Sequence, residues 1–502
     1  VFILEVCDLV CLVVNLDVCF IITFADEQFD FNGDGIPDRL SSDSGSGLKV
    51  HYADLGRTGL LKCVTLPPGG SITMNYELTE ANAYHSRRWV MTEVAVNDSL
   101  PGDGADEMRI RIRYEYGYYD RTEREFLGFA VVVTEPLDGN GNALRSNIRY
   151  YDNRSIHAMG SLLCDALVEI QDNSDTPNTP NTVKWTVTSC NYTTDSVGER
   201  MGGVKAVFPK LTRTQTCYYE GNATASITSW EEYDYENTYG NVVRKRQGST
   251  DQPTVTTNIS YHLQQNGNHC VNKPSDVEIR DAGGCLRRRT TRIDPMGHIT
   301  EIHDTVDNSY QVLVTRMGYD AYGNVVTLRS PNTTMRYTYD NFVHTYPTAI
   351  EDTFGVKSCM QAYDFRFGIP QLVKDPAGHK MIYIIDKWGR TESIQSPKEY
   401  ASGVPYTLKY RYNRKEDGRA VSMAMTEHYD PQHPNNPIKT YTYCDGLGRI
   451  VQTRKEAEIG GVEKLVVSGH TVVDALGRTV ATYYPTEKSL TDVLFAFDPD
   501  QS

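Results

Sequence analysis

Asp30-Phe31-Asn32-Gly33-Asp34-Gly35-Ile36-Pro37-Asp38 is the stretch in which residue type and spacing most clearly call for chemistry. The side-chain oxygens of Asp30, Asn32, Asp34 and Asp38 fall at loop positions one, three, five and nine, and the carbonyl of Ile36 supplies position seven. Calcium takes about six to eight oxygen ligands in such a loop, and glycine at position six permits the sharp turn. The expectation is a structural Ca2+ site built from Asp30, Asn32, Asp34, Ile36 and Asp38. The alternative is an Asx/Gly-rich turn without metal. An EF-hand does not fit, because position twelve is Ser41 rather than Glu and no amphipathic helix flanks the loop.

Other chemistry is less well supported. Asp138-Gly139-Asn140-Gly141-Asn142 reads first as a hairpin turn, with a second calcium loop as the alternative. His298 and His303 flank Glu301 but lack the His-Glu-x-x-His order of a zinc helix, and on a strand they face opposite ways. Neither a Gly-x-Ser-x-Gly elbow nor a phosphate-binding Gly-x4-Gly-Lys loop occurs. Asp recurs before Gly at a fixed spacing, which argues for turns rather than paired catalytic carboxylates. The expectation is a protein that is not an enzyme.

The same Asp/Gly spacing names the elements. Asp352-Thr353-Phe354-Gly355, Asp364 to Gly368 (one residue longer), Asp375-Pro376-Ala377-Gly378 and Asp386-Lys387-Trp388-Gly389 follow one another with short alternating runs between them. Asp at the first position of a type I turn accepts a backbone N–H two residues on, and Gly takes the positive φ of a G1 bulge. Each is a predicted hairpin corner. Related corners stand at Tyr239-Gly240-Asn241, Asp294 to Gly297, Asp320 to Gly323, Asp445 to Gly448 and Asp474 to Gly477. Strands are predicted over residues 71–76, 89–97, 108–118 and 131–134, and Leu490 to Phe497 reads as a short helix.

At 502 residues the chain is too long for one compact core, so several units or one extended array is expected. Its 33 Tyr against 14 Phe and 4 Trp suit strands with one wet and one packed face. The 65 acidic against 50 basic residues leave a net charge of −15, which disfavours nucleic acid as a partner. Eleven Cys without a Cys-x-x-Cys pair point to small buried hydrophobes rather than zinc, with a disulfide framework, which their spacing does not support, as the alternative. Residues 1–24 are apolar but broken by Glu5, Asp8, Asn15 and Asp17, so no membrane span is expected. They read as a signal peptide, as buried strands of a preceding domain, or as a truncated end, since the chain opens on Val rather than Met. Residues 41–62 read as a Ser/Gly-rich connection, and Gln171 to Thr182 as an exposed loop.

Several landmarks, in order, carry a resemblance. The loop at Asp30–Asp38 resembles the calcium loop of VCBS/FG-GAP propeller blades. Tyr119 to Phe129, with Arg124-Glu125-Phe126 and Gly128-Phe129, and then Phe208-Pro209-Lys210-Leu211-Thr212-Arg213-Thr214, resemble B subunits of bacterial insecticidal Tc toxins and related Salmonella-virulence-type proteins. The Asp-x-x-Gly array resembles the YD/Rhs repeats of the same proteins. The fold this implies is all-β: residues 1–62 the end of a propeller-like region, 63–210 a β-rich connector, and 211–502 a ribbon of hairpins coiling into a shell. By the same resemblance, the protein would be a secreted or cell-surface bacterial toxin component enclosing a C-terminal toxic segment, with a pore-forming translocation subunit as partner. The alternative is a cell-surface YD-repeat adhesin or carbohydrate-binding protein, which predicts exposed aromatic residues clustered on one rim.

Overall fold

Alternation of apolar and polar residues becomes strand almost throughout. The computed structural model describes residues 31, 37–43, 47–53, 59–80, 87–100, 102, 104–169, 183–201, 204–263, 269–306, 311–413 and 421–495. The predicted strands appear as Ser71–Leu78, Trp89–Asn97, Glu107–Asp120 and Glu125–Leu137. From Cys63–Thr65 onward each strand pairs antiparallel with the next in sequence, as far as Val462–Ser468, which pairs with Thr486–Lys488. The hydrogen-bonded ladder passes residue 210 without a break, through Lys184–Met201, Val204–Tyr218 and Ile227–Tyr235.

Two local expectations are corrected. Residues 490–495 are irregular rather than helical, because their groups are used against the sheet. The Tyr443 hydroxyl donates to the Val493 carbonyl at 2.6 Å, and the Arg454 guanidinium reaches Asp492 at 3.0 Å. The connection read over residues 41–62 contains part of a hairpin, Arg39–Asp43 paired with Gly47–His51. Helix among the described residues is the five-residue Pro397–Ala401, with Pro at its start. The loop expected at Gln171 to Thr182 lies outside the described residues.

Register shows what joins the strands in the middle of the sheet. Met317 stands opposite Leu328, Leu328 opposite Met335, Tyr337 opposite Ile350, and Val373 opposite both Met360 and Met381. These side chains form one continuous apolar and aromatic face. On the other face Arg336 opposes Glu351, Glu351 opposes Lys357, and Lys409 opposes Glu427. Cross-strand pairs of both kinds stabilise a sheet by a few tenths of a kcal/mol each, up to about 1. Between residues 184 and 413, the buried hydrophobic side chains among the described residues are Cys270 and Ala349. The sheet there is a single layer with both faces half-exposed. Packed cores sit nearer its ends, around Val131, Val133, Ile148 and Ala166, and around Met423, Tyr443 and Leu465.

Candidate functional site

Antiparallel pairing sends successive turns alternately to two rims of the sheet. The upper rim carries the corners at Asp294, Asp320, Asp340, Asp364, Asp386 and Asp445; the lower rim carries those at Asp138, Asp352 and Asp375. The Asp-x-x-Gly corners share one geometry. At Asp386, one carboxylate oxygen accepts the N–H groups of Trp388 and Arg390 at 2.8 and 2.9 Å, and the other accepts the Arg390 guanidinium at 2.7 Å. Gly389 supplies a φ of +80°, which a side chain with Cβ adopts only under strain. The residue just after Gly completes the corner: Arg449 and Arg478 act as Arg390 does, His298 and His379 donate from Nδ1, and Asn142 and Asn324 from the amide. Asp138 is one of these hairpin turns, its oxygens taken by Asn140 and Asn142, as the first reading of that stretch expected.

Asp340 builds a corner that no glycine announces. Its carboxylate accepts the N–H groups of Phe342, Val343, His344, Thr345 and Tyr346 at 2.6 to 3.2 Å. His344 takes the positive φ, +55°. Burial works against the Asp340 charge, but the amides outweigh it and hold the carboxyl well below the usual carboxylate range. Glu236 makes a longer variant, accepting from Tyr239 and Asn241.

Tyrosines preceding these corners lock the one before. The Tyr339 hydroxyl donates to the Val325 carbonyl at 3.0 Å, Tyr319 to Ile299 at 2.8 Å, Tyr363 to Pro347 at 2.6 Å and Tyr235 to Leu211 at 2.9 Å. Ile299, Val325 and Pro347 each begin the preceding strand, whereas Leu211 lies midway along Val204–Tyr218. Burial pushes these phenols up from their ordinary pKa, so they donate at any physiological pH. A Tyr-Asp pair therefore does two things: Tyr ties down the corner already made, and Asp makes the next.

The sheet does not close by strand pairing, since Cys63–Thr65 and Thr486–Lys488 have one ladder partner each. It comes round on itself at a seam between rims. The Gly70 N–H donates to the Gly446 carbonyl at 2.9 Å, and the Gly446 N–H donates to the Asp98 carbonyl at 2.6 Å. The Ala105 N–H donates to the Val473 carbonyl at 3.0 Å, and Arg449 reaches the Asp98 carboxylate at 2.7 Å. A Cβ on Gly446 would stand 2.3 Å from the Gly70 nitrogen, so both positions require glycine. Burial pushes the Asp98 carboxyl up, against the pull of the Leu100 amide and Arg449. Lower-rim turns from the beginning of the ribbon thus sit on an upper-rim corner near its end, as successive turns of a coil.

Of the residues expected to hold calcium, Asp30, Asn32, Asp34 and Ile36 lie outside the described residues. Asp38 is described, and its two oxygens accept the N–H groups of Phe31 and Ala53 at 2.8 and 2.9 Å. That pins the loop exit to the following hairpin. Among the described residues no group of three or more His, Cys, Asp or Glu is placed to hold a metal ion. His298 and His303 are separately engaged, with Asp294 and with Glu301. The eight described cysteines are free thiols, and apart from buried Cys270 they are half-buried or exposed, less buried than expected. An open cleft of about 560 Å3 lies over Thr214, Thr216, Ser229 and Glu231. Its carboxylate, Glu231, is held down by Lys245 and by the Tyr233 hydroxyl, which leaves it a poor base. No described helix is long and apolar enough to cross a membrane.

Residues 22–143 match the family model described as the insecticide toxin TcdB middle/N-terminal region. The chain resembles the B subunit of Tc toxins. Solved structures share the fold of this Tc-B-like chain. A TcdB2-TccC3 crystal structure matches 92% of it with a TM-score of 0.71 at 14% identity. TcdB2-TccC3 without its hypervariable C-terminal region matches 95%, with a TM-score of 0.66 at 12% identity. A Photorhabdus luminescens Tc holotoxin pore matches 93%, with a TM-score of 0.68 at 13% identity. The Tc-B-like chain spans 33%, 39% and 35% of these solved chains. No curated protein sequence matches it.

Proposed function

We propose that this chain is a structural, non-enzymatic part of a secreted Tc-type bacterial toxin, one turn of a β shell that encloses a toxic polypeptide segment and helps deliver it. The observation that carries this reading is the two-faced single sheet returning to its own beginning at the Gly70–Gly446 seam. Strand spacing of about 4.8 Å around that turn gives a circumference on the order of 120 Å and a diameter of about 40 Å. Such a lumen has room for an extended chain. A continuous aromatic face with no second layer needs cover, and an unfolded cargo supplies apolar side chains to it without demanding one shape. The seam and ladder keep nearly all backbone groups paired, which resists both solvent and strand invasion. The pore subunit and cargo are partners by the likeness to the holotoxin pore and TcdB2-TccC3 structures. To test this, the purified chain is mixed with reduced, carboxymethylated lactalbumin, a permanently unfolded probe, and challenged with protease. Protection of the probe supports containment; digestion at the rate seen without the chain rejects it.

The loop Asp30–Asp38 is proposed to hold one structural Ca2+ through Asp30, Asn32, Asp34, Asp38 and the Ile36 carbonyl. The support is the oxygen spacing and the anchoring of Asp38. Equal melting temperatures in calcium and in chelator would remove the site.

A second reading, a carbohydrate-binding surface protein, gains from the upper rim. Tyr322, Phe342 and Trp388 are 65%, 75% and 58% exposed there. However, Tyr322 stacks on His344 at 3.9 Å and Phe342 packs on Phe365 at 5.1 Å, so these rings also buttress neighbouring corners. Binding on a glycan array that is lost in Trp388→Ala and Tyr322→Ala would favour this second reading.

A further inference from the structure

Among the described residues one lysine is buried: Lys210, 4% exposed, in the strand Val204–Tyr218. A buried ammonium needs partners, and the neighbouring elements supply them from both sides. Lys210 stands opposite Thr193, so Asp195, two residues on, shares its face of the sheet. The Asp195 carboxylate lies 3.3 Å from the Lys210 Nζ. From the other side, Nζ donates to the Asn237 Oδ1 at 3.1 Å. Asn237 follows the strand Ile227–Tyr235, in the corner that Glu236 holds. The centre of the Tyr235 ring is 6.0 Å from the ammonium, and Phe208 packs edge-on against that ring at 5.8 Å. The cluster gathers an amine, a carboxamide and a carboxyl beside two aromatic rings. Asp195 alone would satisfy the charge; the carboxamide held against the amine adds an electrophile.

We propose that Lys210 and Asn237 join in an intramolecular isopeptide bond, with Asp195 carrying the proton. Asp195 takes a proton from the Lys210 ammonium, and the freed amine attacks the Asn237 Cγ, one bond beyond the oxygen it already touches. Asp195 hands that proton to Nδ2. The Nζ–Cγ bond forms, the Cγ–Nδ2 bond breaks, and the second proton shed by Nζ leaves with the ammonia as an ammonium ion. Nothing else is consumed. Holding amine and amide in contact replaces a bimolecular encounter, and a desolvated lysine amine is a competent nucleophile. The product closes the chain across the turn after Tyr218, so that the paired strands Val204–Tyr218 and Ile227–Tyr235 cannot part. Unlike a disulfide, it is indifferent to reductant.

Intact-mass spectrometry of the folded full chain reads this directly. The parent weighs one ammonia, about 17 Da, less than its sequence. A proteolytic map contains one branched peptide joining Lys210 to Asn237. Lys210→Arg keeps the cation and returns the full sequence mass, as does Asn237→Ala. In cell-free synthesis sampled over time, Asp195→Asn links about a hundredfold more slowly than the parent. Circular dichroism checks that each variant is folded. A folded parent at its full sequence mass overturns the proposal, and so does an ammonia loss that persists in Lys210→Arg, the mark of a succinimide elsewhere. Linkage at the parent rate in Asp195→Asn overturns the proton-carrying role.

Discussion

Asp340 concentrates more backbone donors on one side chain than the other upper-rim corners whose contacts are described above, and the consequence is a pH dependence with a definite sign. Its folded-state carboxyl lies below the ordinary carboxylate range. A depressed carboxyl contributes stability that is fully present above the unfolded pKa of about 3.9 and is lost as pH falls through the folded value. Asp320, Asp386 and Asp474 shift the same way, so the ribbon should lose stability steeply in acid below about pH 4. We expect Asp340→Asn to lower the melting temperature at pH 7 and to flatten the acid limb of a stability–pH curve. An acid limb identical to that of the parent would show that this corner is not a sink for the proton. Tyr339→Phe tests the partner role. Losing one neutral hydrogen bond to the Val325 carbonyl should cost about 1 kcal/mol in denaturant melts, with no pH dependence below 9.

At the scale of the hairpin, glycine is needed for two separable reasons. Gly355 has a φ of +80° and open space where a Cβ would go, so Gly355→Ala meets backbone strain alone, about 1 kcal/mol. Gly389 has the same φ, but a Cβ there would stand 2.7 Å from the Phe367 ring, so Gly389→Ala adds overpacking of about 1–3 kcal/mol. Equal destabilisation of the two variants in urea melts would mean that the ring moves aside freely. These corners were legible in the sequence because Asp and Gly at fixed spacing state both halves of the turn. Asp340 was not, since His344 stands where Gly would and the acceptor role is shared by five amides. Glu236 was hidden by its longer side chain and extra residue. The Tyr-to-carbonyl bonds were equally unreadable: the pattern placed Tyr before Asp but could not say which neighbouring strand its hydroxyl would reach. The calcium loop remains legible only as spacing, with Asp38 its one described member.

Over the whole molecule the deciding contact joins residues more than 300 positions apart, which no local periodicity encodes. Asp98 and Arg449 have nothing in common along the chain; only the curvature accumulated over the intervening strands brings them together. This makes the seam separable from the sheet. Gly446→Ala forces a Cβ against the Gly70 backbone, and backbone cannot rotate away as a side chain does. The clash could cost several kcal/mol if the seam were held, but the loss is capped by what the seam itself contributes, because the coil can spring open while every hairpin ladder stays paired. The expected outcome is therefore unusual for a core-like overpacking: strand content unchanged by circular dichroism, with faster hydrogen exchange confined to the amides of Gly70, Ala105 and residue 446. Asp98→Ala should give the same pattern more weakly, since it leaves both glycine bonds in place and removes the Arg449 partner. If instead Gly446→Ala melts the strands Ile438–Cys444 and Ile450–Ile459 together with the seam, then closure and folding are one event. The sheet would then be a shell that cannot exist as an open ribbon, and containment would be set at the moment of folding rather than by a joint that can be undone.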